Sequence, residues 1–112
     1  MTFGLDTSVV LRLLTGQPQE LAARTLARYQ EGIANGDSFS VSDIVVSETY
    51  YAIQHHYGKT KEEALSALMA FSSGEGISFS QNFAASINTP NIHKANPGFV
   101  DRMLASGSCF WL

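Results

Sequence analysis

The sequence is short of several things, and each shortage narrows the reading. Cysteine occurs once, as Cys109, which rules out an internal disulfide framework and suits a reducing compartment. With no histidine or other base near it in sequence, that thiol is also a poor candidate nucleophile. Prolines number three, and no Pro/Ser-rich linker, low-complexity tract or internal repeat interrupts the chain. No apolar run approaches the roughly 18 residues of a membrane span. The opening MTFGLDTSVV lacks the basic start and long apolar stretch of a secretory signal, so a cytoplasmic protein without membrane contact is expected. Gly74 and Gly76 flank only Glu75, which makes a turn rather than a phosphate-cradling loop. Positive charge is scarce too: seven Lys and Arg stand against ten Asp and Glu, for a formal net charge of −3. That excludes a binder held to nucleic acid by bulk basicity alone. It does not exclude an enzyme whose acids hold metal ions, since the ions then bring the positive charge.

What remains is ordinary for a globular protein: 112 residues, 45% hydrophobic and 15% charged, enough for one domain over residues 1–112. The hydrophobic pattern alternates between short strands and longer helices. Residues 2–5 (TFGL) read as a strand, and Val9, Val10, Leu13 and Leu14 give a helix over residues 7–15 that Gly16 stops. Pro18 opens a second helix over residues 20–34, ended by Asn35, Gly36 and Asp37. Residues 38–42 (SFSVS) alternate as a strand, and Ser42 or Asp43 caps a helix over residues 44–57 that Gly58 closes. TKEE at residues 60–63 is a capping box, starting a helix to about residue 71. Residues 76–80 form a third strand and 81–87 a short helix. Asn96 and Pro97 are placed to cap and open a last helix over residues 98–106, and SCFWL at residues 108–112 is a strand stub. Repeated strand–helix–helix units predict an α/β fold with a parallel sheet, right-handed crossovers and helices on both faces.

In such a sheet, ligands bind beyond the carboxyl ends of the strands. The pattern sends three acids toward that edge. Asp6 follows the first strand directly, Glu48 lies in the second turn of the helix after the second strand, and Asp101 lies in the opening turns of the last helix. Crowded carboxylates raise one another's pKa unless a cation sits between them. Mg²⁺, which prefers oxygen ligands and activates water against a phosphodiester, suits that role. Each acid alone also has a plain structural use: Asp6 as a helix cap, Asp101 as a partner of the helix dipole, Glu48 as an exposed position on an amphipathic helix. Glu48 shares a helical stripe with Ile44, Tyr51, Ala52 and His55, a largely apolar face where an unpaired carboxylate is costly. The spacing of the three together carries the inference.

With those residues placed, the chain resembles the PIN-domain family, in particular the VapC-type toxins of prokaryotic toxin–antitoxin pairs. GLDTSVVLRLLTG is similar to the family's opening strand, acid and helix, with Asp6–Thr7–Ser8 where the usual pattern is acid–Thr–Asn. VSDIVVSETYYAIQHHYG is similar to the second block and puts Glu48 at its acid; GFVDRMLA is similar to the third and puts Asp101 there. The likeness runs over nearly the whole chain. It implies a PIN-like three-layer α/β/α domain and a Mg²⁺- or Mn²⁺-dependent endoribonuclease. Asp6, Glu48 and Asp101 would then be the catalytic metal ligands, and Thr7 and Ser8 hydroxyls that orient an acid or bind phosphate. The resemblance further implies RNA as substrate, a cognate antitoxin as partner, and a homodimer. It breaks down at the C-terminal end, where family members continue into a strand carrying a fourth acid; residues 102–112 contain no acid. C-terminal strands missing or abbreviated are therefore expected, with weakened metal binding and an apolar edge beside the first strand that SCFWL partly fills. The alternative expectation is a catalytically impaired remnant that binds an antitoxin or itself.

Overall fold

The computed structural model describes residues 1–94 and 98–108. Asn96 and Pro97, expected to cap and open the last helix, and the tail from Cys109 lie outside the described residues.

Three short strands, β1 (Thr2–Gly4), β2 (Ser38–Val41) and β3 (Ile77–Phe79), form a parallel sheet in the order β1-β2-β3. Between β1 and β2 run α1 (Thr7–Thr15) and α2 (Gln19–Ala34); between β2 and β3 run α3 (Asp43–His55) and α4 (Lys61–Ser72). α5 (Gln81–Ile87), a 3-10 turn (Ile92–Lys94) and α6 (Phe99–Ser108) follow. The expected α/β class and parallel sheet are those observed. Among the described residues, no helix is long and apolar enough to cross a membrane.

Local chemistry sets the helix boundaries. Each strand leads into a helix whose first free N–H is taken by a side chain. Asp6 Oδ1 accepts from the Val9 N–H at 2.9 Å, Ser42 Oγ from Val45 at 3.2 Å and Ser80 Oγ from Phe83 at 3.1 Å. Thr60 and Glu63 complete the expected capping box at the start of α4, with bonds of 3.1 and 2.9 Å. α3 ends two residues earlier than its periodicity predicts. Gly58, at φ 66°, turns the chain so that the Lys59 N–H reaches the Ile53 carbonyl at 3.2 Å.

The register decides the two faces of the sheet. Phe3 lies opposite Phe39, Phe39 opposite Ile77, and Val41 opposite Phe79. Helices pack on this apolar face: Tyr29 of α2 against Phe39 (5.4 Å between rings), Phe71 of α4 against Phe79 (6.1 Å) and Phe83 of α5 against Phe79 (4.4 Å). A Cβ at Gly32 would lie 2.6 Å from Phe39 Cζ, so glycine is what lets α2 sit this close to the sheet. Val10, Val46, Leu68, Phe99 and Met103 are completely enclosed at the centre of the core. The opposite face carries Thr2, Gly4, Ser38, Ser40 and Ser78, all exposed or half-exposed, with the Thr2 and Ser38 hydroxyls 2.8 Å apart.

Candidate acidic site at the carboxyl edge of the sheet

The parallel strands point their carboxyl ends at one edge, where α1, α3 and α5 begin. Asp6 stands there as the cap of α1, exposed, with one carboxylate oxygen committed to the Val9 N–H. The structural use foreseen for this residue is therefore present. Glu48 lies one turn into α3, also exposed. The Thr7 hydroxyl donates to Glu48 Oε1 at 3.0 Å, tying the first residue of α1 to α3 across 41 residues of sequence. Ser8 is exposed and, among the described residues, makes no side-chain hydrogen bond.

The stripe that Glu48 shares is not the buried one. Ile44 is 61% exposed and Tyr51 51% exposed, whereas Val46, Tyr50 and Ile53 face the core. Glu48 consequently bears no burial cost, and the expectation of a costly carboxylate on an apolar face is corrected here. Tyr51 stacks on His55 at 6.1 Å on that outer face. Tyr50, by contrast, packs edge-on against Phe99 at 5.2 Å, and its burial, with Tyr51 adding to it, pushes its hydroxyl pKa up.

Asp101 is exposed in the first turn of α6. That turn is anchored by Phe99, whose ring contacts Tyr50 of α3 and Phe83 of α5. One acid escaped the sequence reading. Asp43, the first residue of α3, accepts from the Ser80 hydroxyl and, at 3.5 Å, from the Asn82 amide, joining the start of α3 to the start of α5. Its signal was its position, directly beyond the second strand and its cap as Asp6 is beyond the first.

Carboxylate oxygens are the right donors for a hard divalent ion. Their placement is a different matter: among the described residues, no three His, Cys, Asp or Glu side chains are grouped so as to hold a metal.

No protein-family model matches the chain, and no curated protein matches it. Among solved structures, the crystal structure of VapBC2 from Rickettsia felis bound to a DNA fragment from their promoter aligns with 96% of this chain and 80% of that one, at 21% identity and a TM-score of 0.47.

Proposed function

We propose that the carboxyl edge binds and hydrolyses RNA phosphodiesters, as an endoribonuclease of the toxin type held in check by a cognate antitoxin. The observation that supports this most is the Thr7–Glu48 hydrogen bond, which fixes one acid beside the β1–α1 junction where Asp6 stands. The N-termini of α1, α3 and α5 follow the strands at the same edge, and their dipoles favour an anionic ligand. Thr7 holds Glu48 in place, Asp6 stands exposed beside it at the start of α1, and the ring packing of Phe99 sets the turn that carries Asp101. Mg²⁺ or Mn²⁺ belongs to the proposal as the species that lets three carboxylates share one edge. Their separate placement leaves the hydrolytic step without a defined metal centre. That same observation favours the second reading, a non-catalytic PIN-like module that binds an antitoxin or another copy of itself.

Calorimetric titration with Mn²⁺ decides between them. Asp6→Asn keeps a good helix cap while removing the charge, so the fold should survive it. Binding by the unaltered chain, weakened about 10–100-fold in Asp6→Asn and in Asp101→Asn with circular dichroism unchanged, supports the metal site. Cleavage of an RNA pool lost in the same variants then supports the nuclease. A folded chain that takes up no Mn²⁺ at millimolar concentration and leaves RNA intact hands the case to the second reading.

A further inference from the structure

The outer stripe of α3 begins at the acidic edge and runs away from it. Ile44, Glu48, Tyr51 and His55 stand along it at helical spacing, all of them exposed. Residues three and four apart on a helix are neighbours, with Cβ atoms about 5–6 Å apart, so Ile44 and Tyr51 bracket the carboxylate that Thr7 holds. The core does not call for an aromatic at position 51, because Tyr50 fills that role, edge-on to Phe99 at 5.2 Å. Tyr51 is nevertheless held in a set orientation. Its ring stacks on His55 at 6.1 Å and 17°, with Tyr50 tilted at 60° beside it. Two near-parallel exposed rings thus make a flat platform about one turn from Glu48.

Flat aromatic surface is what an unpaired nucleobase packs on, because every base has a π-face and stacking needs no sequence match. Stacking also suits the charge of this chain. With a net charge of −3 it cannot hold a nucleic acid by bulk basicity, whereas the face of a base is neutral. A protein surface laid over the stripe would take Glu48 out of water, and no cation is paired with Glu48 among the described residues. A base on Tyr51 leaves that carboxylate hydrated. We propose that Tyr51, backed by His55, stacks a base of the RNA strand next to the phosphate at the acidic edge, and so selects single-stranded RNA. In a duplex the base faces are already covered by their neighbours and cannot reach the ring. The inference rests on the nuclease reading for its substrate and adds to it the residue that reads strandedness.

A single-stranded RNA of about ten nucleotides carrying 2-aminopurine, whose fluorescence falls on stacking, tests this in the presence of Ca²⁺, with cleavage followed in parallel in Mg²⁺. Quenching by the full chain is expected, with an affinity that changes little as salt is raised. Tyr51→Ala should abolish the quenching and weaken binding about tenfold with circular dichroism unchanged, and Tyr51→Trp should restore both. Rescue by another flat ring is an outcome that a folding defect cannot produce. In Mg²⁺ the alanine variant should raise the KM for cleavage and leave kcat near its value. Quenching that persists in Tyr51→Ala, or equal binding of the same strand annealed to its complement, overturns the stacking proposal, and the nuclease reading stands if the strand is cut. A strand that stacks on Tyr51 but is never cut supports the stack and removes the nuclease reading. A chain that binds no strand overturns the proposal; a dimer that Tyr51→Ala dissociates would then give the stripe to a protein contact.

Discussion

Thr49 is fully buried on α3, and its hydroxyl has no hydrogen-bond partner among the described residues. A buried hydroxyl left in that state costs about 1–3 kcal/mol. Valine fills nearly the same shape without the polar atom. Thr49→Val is therefore expected to raise stability by about 1 kcal/mol, seen as a higher urea midpoint at unchanged slope; a lower midpoint would show that the hydroxyl is satisfied in solution. Single residues were also where the sequence was hardest to read. Periodicity correctly put Ile44, Glu48, Tyr51 and His55 on one stripe of α3, but it could not say which stripe faces inward. Tyr50 and Ile53, one step round the helix, took the core instead. Asp6 was legible as both cap and acid because both uses depend on its standing directly after a strand.

Helices and strands were far more legible, because their signals are local. The capping box TKEE announced α4, and both of its reciprocal bonds are present. Their effect has a pH signature. The Thr60 backbone N–H, and then its side chain, stabilise the ionised Glu63 and pull its carboxyl below the ordinary glutamate range. A carboxylate with a depressed folded pKa stabilises above its unfolded value, and the contribution fades as pH falls through the folded one. Glu63→Gln should accordingly lower the melting temperature slightly at neutral pH, with the two proteins converging as pH falls below the ordinary glutamate range, so that the acid-side decline of the variant is flatter. Equal acid-side slopes in both proteins would mean that the box adds nothing. The strands TFG, SFSV and ISF alternate strictly, which fits the one covered face observed here rather than the helices on both faces that the repeated units led us to expect. Continuous apolar runs would be expected of parallel strands buried on both sides. The 3-10 turn at Ile92–Lys94 had no such cue, since a three-residue turn spans less than one period of any pattern.

At the scale of the whole molecule, what the sequence withheld is long-range. The Thr7–Glu48 bond joins residues 41 apart, and no window of local pattern contains both. The hydroxyl-lined face of the sheet has a consequence for how the molecule breathes. Water borders the backbone of three strands of three or four residues, while α3 is buried along one side between α1, α4 and α6. Native-state hydrogen exchange should therefore find the most protected amides in α3, around Val46 and Tyr50, and markedly faster exchange at Ser40 and Ser78. Protection that instead peaks in β2 would contradict this. The sheet of this protein then behaves as its opening side, and the helices clustered around α3 as the part that yields only when everything else has.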